Sequence, residues 1–444
     1  MRLFGTDGLR GAAGVFPLDP VSLRLVGREV GRRVRENSRA RVVLGGDTRV
    51  STPGMIADLA LGLAEAGCTP LCAGVIPTPG VAELVGALGA GAGISVSASH
   101  NPYEDNGVKI FGPDAKKWPD AEEEALEERL KSPVGLPGAT FPGRPPDPPV
   151  DPGLAEKYLA CLAAHAPASL RGIPILLDAG NGAAYRLGPE ALRRAGASVR
   201  AICDEPDGRN INARCGALHP LQMARETREA GLSMGVAFDG DADRAIFSDE
   251  KGRILDGDDV LWILARHGKL RGTLGAGGVV GTVMSNYGLE AALEREGIPF
   301  HRAGVGDRNV SRKMDETGAE LGGETSGHIL QRLSPSGDGI LTALLIAGIV
   351  AEGGKPLSGL ATLEKMPQAL RNVRVARRVP LADSPRISLA VARAEETLAH
   401  RGRVFLRYSG TEPLLRILVE GEEEQEVAAI AGQLETAVRE ALAE

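Results

Sequence analysis

Leu23, Val26, Val30 and Val34 recur at three- and four-residue intervals behind Asp19 and Pro20. That spacing is one face of an α-helix, opened by a proline at the position where a missing N–H does no harm. A short apolar run at 42–44 predicts a strand. It is followed by a helix over 55–66, a strand over 71–75, a helix over 81–88 and a strand over 93–96 that runs into SASHNP. The rhythm returns with strands at 174–177, 198–202 and 234–238, helices at 190–195 and 221–230, and the loop DGDADR. It returns again with strands at 279–283 and 299–303, helices at 289–296 and 310–317, and the loop LGGETSGH. Alternating strands and helices predict α/β domains with mostly parallel pairing, in which ligands bind beyond the carboxyl ends of the strands.

The tail breaks the rhythm: strand 373–376, helix 387–400, strand 404–407, the loop YSGTEP, strand 414–419, then a helix. Glu422, Glu423 and Glu424 open that helix, and Val427, Ile430, Leu434 and Val438 form its apolar face. Acidic residues suit a helix N-terminus. The fold class is therefore α/β: three consecutive α/β domains with mixed, mostly parallel sheets, plus a smaller C-terminal α+β domain. The boundaries fall at 1–150, 151–252, 253–366 and 367–444. Residues 131–153 are crowded with Pro and Gly and read as a stiff linker or surface loop.

Length and charge narrow the function. A chain of 444 residues holds two to four domains and a sizeable core. A formal net charge of −7 argues against a general nucleic-acid binder, while leaving room for a local basic pocket. The 51 basic residues are 10 Lys and 41 Arg. Coding bias or heat adaptation accounts for such an excess as well as phosphate binding does. The five cysteines, at 68, 72, 161, 203 and 215, make neither a CxxC pair nor a zinc spacing, and predict reduced thiols in a cytoplasm. The start, MRLFGTDGLRG, lacks an apolar signal core. The longest apolar stretch, 340–351, is too short to span a bilayer and reads as a buried helix. The expectation is a soluble, cytoplasmic protein.

Four loops carry candidate chemistry. Asp239, Asp241 and Asp243 alternate after an apolar strand, which turns three carboxylates to one side, as a hard cation such as Mg²⁺ requires. An EF-hand is rejected, because Arg244 sits where the sharp turn wants Gly and a strand precedes the loop. A solvated acidic turn is disfavoured because unpaired carboxylates repel. Arg244 suits a phosphate beside the metal. Ser99 is a poor nucleophile unless its neighbours poise it, and His100 and Lys109 are near in sequence. Ser95 and Ser97 are rivals, and SASHNP alone reads as a polar turn. In the third loop Glu324, Ser326 and His328 can hydrogen-bond sugar hydroxyls or an amine, with Arg308 as an anion contact; His328 serves equally well as a structural histidine. In the fourth, Arg407, Ser409, Gly410, Thr411 and Arg416 offer cations, hydroxyls and N–H groups to a phosphate, or make an ordinary hairpin turn. FGTDGLRG adds Thr6 and Arg10. Asp47, Thr48, Arg49 and Ser51 form a further polar knot, readable as a cap or turn.

Taken jointly, FGTDGLRG, SASHNPYEDNGVKIFG, PDGRNINARCGALHP, AFDGDADR, GTVMSNYGLE, GVGDR and GGETSGHI resemble the α-D-phosphohexomutase superfamily over essentially the whole chain. Within it they resemble the bacterial phosphoglucosamine mutases, which Asn210 to His219 and the Gly-His ending of the third loop favour. The resemblance implies an isomerase with four domains around a central cleft, one loop from each. It implies that Ser99 carries a phosphoryl group and that Asp239, Asp241 and Asp243, with Ser99, hold Mg²⁺. Arg244 would support the phosphoserine, Lys109 would act as general acid/base, and Arg10 and His100 would sit near the phosphoryl group. Glu324 and Ser326 would meet a phosphorylated amino sugar, and Arg407–Thr411 would clamp its second phosphate. Glucosamine 6-phosphate and glucosamine 1-phosphate would interconvert through glucosamine 1,6-bisphosphate, feeding UDP-N-acetylglucosamine and cell-wall synthesis. A homodimer fits the resemblance, and neither nucleic acid nor membrane is an expected partner. Thr325, Asn309 and Tyr408 depart from the group's usual residues. The alternatives are a phosphomannomutase or phosphoglucomutase using the same residues, a non-catalytic phosphosugar sensor and a Mg²⁺ phosphatase.

Overall fold

The computed structural model describes residues 3–5, 7–36, 39–131, 145–166, 169–409 and 413–442. The chain divides into two compact units: Met1–Thr282 with His301–Thr362, and Val283–Phe300 with Leu363–Glu444.

The first unit contains three sheets built on one plan. In the first, Arg41–Gly46 lies parallel to both Thr69–Val75 and Ala92–Val96. After Ala92–Val96 the chain passes through the serine loop and returns antiparallel as Asp105–Phe111, which pairs in turn with Gly8–Ala12. In the second, Pro174–Asp178 lies parallel to Ser198–Ile202 and Met234–Phe238, and the chain returns after the aspartates as the antiparallel strand Ala245–Asp249. In the third, Val279–Thr282 lies parallel to Leu321–Gly323, which pairs antiparallel with Ile329–Gln331. The sheets are thus mixed, with a parallel centre and an antiparallel return. Each candidate loop is the connection between a central strand and its return, at the strand's carboxyl end. The return strands give little sequence signal, because Asp105–Phe111 and Ala245–Asp249 are buried on both faces and do not alternate.

The expected helical face at the N-terminus forms within Pro20–Glu36, where Leu23, Val26, Val30 and Val34 are all buried. The apolar run at 340–351 lies within the helix Gly339–Gly353, whose N-terminus Asp338 caps by accepting the Leu341 N–H at 2.9 Å. Apolar residues all round suit a helix enclosed on every side. Among the described residues no helix is long and apolar enough to cross a membrane. The helix expected from 190 starts earlier, at Ala184, because Pro189 lies inside it rather than opening it. Of the Pro/Gly-rich segment, residues 132–144 lie outside the described residues, and its end already belongs to the helix Pro152–His165.

The second unit has a three-stranded antiparallel sheet in the order Gln368–Arg374, Leu414–Gly421, Gly402–Tyr408. Helices Pro385–Leu398 and Glu424–Leu442 supply the rest of its core, with Val373, Ile417 and Val419 packed together with Val427, Ile430 and Leu434. The edge strand begins at Gln368 rather than 373, since its partly exposed residues carry a weak apolar pattern. The helix Tyr287–Arg295, which the sequence rhythm assigns to the third α/β domain, packs in this unit. Its Tyr287 hydroxyl donates to the His400 carbonyl at 3.0 Å, and its Tyr287 N–H donates to the buried Glu420 at 3.3 Å.

Candidate active site

Ser99 follows the strand Ala92–Val96 and is wholly buried, with a positive φ of 53°. A non-glycine residue in that region is held there by its surroundings. Its N–H donates to Ser97 Oγ at 2.9 Å, and its carbonyl accepts from Arg49 and from Asn212 Nδ2, both at 2.9 Å. Gly240 makes room for it, since a Cβ there would lie 2.4 Å from the Ser99 carbonyl oxygen. The Ser99 hydroxyl donates to Asp239 Oδ2 at 2.5 Å and lies 3.4 Å from His100 Nδ1.

Arg49 and Asp47 form the footing of this loop. The Arg49 side chain is fully buried and pairs with Asp47 at 2.8 Å. Its guanidinium also donates to the carbonyls of Ser99 and Asn101, at 2.9 Å each, and of Asp105, at 3.0 Å. The polar knot at 47–51 is therefore a brace for the serine loop. The rival serines are committed elsewhere. Ser97 donates to Asp47 at 2.6 Å, and Ser95 pairs with Thr78, which itself donates to Asp241 at 2.6 Å.

Asp239, Asp241 and Asp243 converge as the alternation requires, with one oxygen from each within 4.8 Å of the others. All three are buried. Burial, then the charges of Asp243 and Asp241, push the Asp239 carboxyl well above the usual carboxylate range. Asp241 Oδ1 and Asp243 Oδ1 are buried without a hydrogen-bond partner among the described residues. Hard oxygen donors left over in a mutually repelling trio fit a divalent cation.

Lys109, on the return strand Asp105–Phe111, enters the cluster from the other side. Its ammonium lies 2.8 Å from Asp241, 3.2 Å from Asp243 and 2.9 Å from Asp7. Burial opposes its charge, but Asp241, Asp243 and Asp7 outweigh burial and hold the pKa well above its ordinary value. Asp7 in turn pairs with Arg10 at 2.6 Å and with Lys117, and Lys117 reaches Asp307 at 2.6 Å. His100 lies 3.3 Å from an Arg244 nitrogen, and burial, with Arg244 and Arg10, pushes its pKa down. His328 is buried 3.7 Å from Asp243. Burial opposes its charge, yet Asp243 leads the carboxylates that push its pKa up to about 9.

A cavity of about 380 Å³ opens beside this cluster, lined among others by Arg10, His100, Lys117, Asp243, Arg244, Glu324 and His328. A larger groove of about 620 Å³, lined by residues such as Ile56, Cys72, Val75 and Leu159, includes none of these. Glu324 accepts the Gly306 N–H at 2.8 Å, and Ser326 is exposed. Arg308 does not line the 380 Å³ cavity; its guanidinium is engaged by Glu123 and Asp120 of the helix Asp120–Lys131. Asp7, Lys117, Asp307 and Asn212 are site neighbours that sequence reasoning did not single out. Asp7, Asn212 and Asp307 lie inside FGTDGLRG, PDGRNINARCGALHP and GVGDR, whereas Lys117 lies outside every motif and carries no signal.

In the second unit Arg407 and Arg416 stand directly opposite each other on paired strands. Ser409 is buried, and its carbonyl accepts from Arg378 at 2.7 Å. Tyr408 donates to the Val379 carbonyl at 2.8 Å, so its hydroxyl fastens the strand end. Gly410 and Thr411 lie outside the described residues, as does Thr6.

Residues 1–134, 155–252 and 256–366 match the alpha/beta/alpha domains I, II and III of phosphoglucomutase/phosphomannomutase, and residues 370–437 match its C-terminal domain. A phosphoglucosamine mutase of Thermus thermophilus is 47% identical, with 95% of this chain and 94% of that protein covered. One from Deinococcus radiodurans is 44% identical, with 99% and 98% covered. Among solved structures, a phosphoglucomutase/phosphomannomutase family protein of Burkholderia thailandensis superposes with a TM-score of 0.82 at 24% identity, covering 99% of this chain and 97% of that one. N-acetylphosphoglucosamine mutase of Aspergillus fumigatus, in complex with GlcNAc-6P and magnesium, gives 0.69 at 18% identity, covering 99% and 96%. With four successive domains matched and near-full-length relatives above two-fifths identity, the chain belongs to the phosphoglucomutase/phosphomannomutase family, in its phosphoglucosamine mutase group, and is an isomerase of the phosphohexomutase type.

Proposed function

We propose that this chain interconverts glucosamine 6-phosphate and glucosamine 1-phosphate, with Ser99 carrying the phosphoryl group between them. The observation that carries the reading is the buried Ser99 hydroxyl on Asp239, in a trio of aspartates that Lys109 faces at 2.8–3.2 Å. A phosphoserine 99 donates its phosphoryl group to O1 of the sugar, giving glucosamine 1,6-bisphosphate. The intermediate turns end for end, and O6 returns a phosphoryl group to Ser99. Such transfers depend on positioning and charge neutralisation more than on covalent chemistry.

Asp239, Asp241 and Asp243 would hold a divalent metal, Mg²⁺ in this reading, together with an oxygen on Ser99. When bound, the metal supplies neutralisation of the charge that gathers on the serine oxygen. Arg244 and Arg10 border the cavity beside His100, which supports a role for both in meeting phosphoryl oxygens. Lys109, held protonated by its three carboxylates, would give a proton to the departing Ser99 oxygen, and the proton lost by the attacking sugar hydroxyl would restore it. Glu324 and His328 line the same cavity and would meet the sugar, and in this reading the fourth loop, Arg407 to Thr411, would clamp the phosphate that is not being transferred. The same reading sets the protein in the cytoplasm, supplying UDP-N-acetylglucosamine for the cell wall.

The test compares glucosamine, glucose and mannose 6-phosphates in a turnover assay with Mg²⁺ and a hexose bisphosphate activator. Glucosamine 6-phosphate should be preferred by at least about tenfold in kcat/KM, a difference of about 1.4 kcal/mol at the transition state. Preference for glucose or mannose overturns the sugar assignment, and release of inorganic phosphate without isomerisation overturns the transfer.

A further inference from the structure

Besides the aspartate trio, one other group of metal- or redox-type side chains converges among the described residues. The sulfurs of Cys203 and Cys215 and a carboxylate oxygen of Asp178 all lie within 4.8 Å of one another. The two cysteines are fastened to the same turn. Asn181 N–H donates to the Cys203 carbonyl at 2.6 Å, Gly216 N–H donates to Asp178 at 2.8 Å, and Asn181 Nδ2 lies 3.8 Å from Cys215 Sγ. Asp178 has both oxygens engaged by backbone N–H groups, from Gly180 at 2.9 Å and from Gly216. Two backbone donors thus hold the carboxylate in place beside the sulfur pair. Cys203 is half-buried and reachable from solvent, while Cys215 is 3% exposed.

The segment between the two cysteines carries Asn212, whose amide holds the carbonyls of Ser99 at 2.9 Å and Asn101 at 3.3 Å. Gly208 of the same segment accepts the Val50 N–H at 2.9 Å, next to Arg49. We propose that Cys203 and Cys215 form a reversible intrachain disulfide under oxidation, and that closing it draws Asn212 off the Ser99 loop and slows turnover. With hydrogen peroxide as oxidant the S–S bond forms as the O–O bond breaks. The thiols give up two electrons, and their protons leave with the oxygens as water. Native sulfurs this near need only a local shift to reach bonding distance, about 2 Å. That shift moves the segment carrying Asn212, and Asn212 acts on the reaction by positioning Ser99.

The test treats the full chain, loaded with Mg²⁺, with hydrogen peroxide and then alkylates it. The expected result is a mass loss of about 2 Da, a Cys203–Cys215 cross-linked peptide, three alkylated cysteines of the five, and a several-fold fall in turnover that dithiothreitol reverses. Cys203→Ser and Cys215→Ser, treated alike, should show neither cross-link nor reversible loss. Five alkylated thiols, a sulfinic acid in place of the cross-link, or a zinc ion retained by the cysteines would each overturn the proposal. A cross-link that leaves turnover unchanged overturns the coupling to Ser99. The cross-link is read by mass, so it is independent of which hexose phosphate is the substrate.

Discussion

Ser99 and Asp239 are 140 residues apart in the chain, yet the serine hydroxyl donates to the aspartate at 2.5 Å. Two separate sheets place their loops so that one hydroxyl meets one carboxylate. Ser99→Ala removes the hydroxyl and leaves the burial intact. Turnover should fall by at least about a thousandfold, as when a nucleophile is deleted elsewhere, with little change in Tm. Intact mass should show that the variant no longer takes up a phosphoryl group from a hexose bisphosphate.

Removing the metal should leave the aspartate trio repelling itself. Chelation with EDTA should abolish turnover and lower Tm, and Mg²⁺ should restore both. Asp239→Asn relieves the repulsion that burial and its two neighbours impose. Metal-free Asp239→Asn should therefore melt higher than the metal-free parent, by about 3 °C, and should lose most of the rise that Mg²⁺ brings. Differential scanning calorimetry with and without the ion checks both signs.

Arg49→Ala should be costly far from solvent. It strands Asp47, whose carboxyl burial already pushes up, and it removes a donor from four carbonyls of the loop, those of Ser99, Asn101, Pro102 and Asp105. Breaking a buried ion pair from one side costs about 3–5 kcal/mol. Urea denaturation should show a loss of that size, and the folded fraction should turn over more slowly because Ser99 is no longer braced.

Asp338 gives the protein a pH-dependent component of stability. Burial raises its carboxyl from an ordinary 3.8 to about 6, against the opposing hydrogen bonds from Leu341 and Tyr158. Between those two values the folded state holds a proton that the unfolded state has released. Asp338 therefore costs stability once ionised, and its contribution should worsen as pH rises from about 4 to about 6, by about 3 kcal/mol in total. Asp338→Asn removes the titration while keeping the shape. The difference in unfolding free energy between parent and variant should change with that sign across the interval and stay flat above it.

The apolar runs at 42–44, 93–96, 174–177 and 234–238 made the strands legible, and the polar residues crowding their carboxyl ends marked the loops. The aspartates were readable because two-residue spacing has one geometric meaning in extended backbone. The return strands were not readable, because strands covered on both faces lose alternation and merge into the loops before them. Arg308 looked available because a sequence cannot show Glu123 waiting on another helix. Lys117 was invisible for the converse reason, since its meaning comes from Asp7 and Asp307, 110 residues upstream and on a third loop. Helix 287–295 falls by chain order in the third matched domain, while its hydrogen bonds to Glu420 and His400 in the tail carry no sequence signal.

Lys109 stands opposite Ser95 in the ladder between the central strand and its return, flanked by Val108 and Ile110 on the other side of the pleat. Side chains along a strand change sides at every residue, so the number of residues between Asp105, where the return strand begins, and Lys109 fixes which side chain meets the aspartates. A single-codon deletion in that interval would present an aliphatic side chain where the ammonium belongs, even though every catalytic residue survived in the gene. Insertions and deletions of one codon should accordingly be far more damaging here than most substitutions, and a deep scan that includes them would map the interval as a fixed ruler.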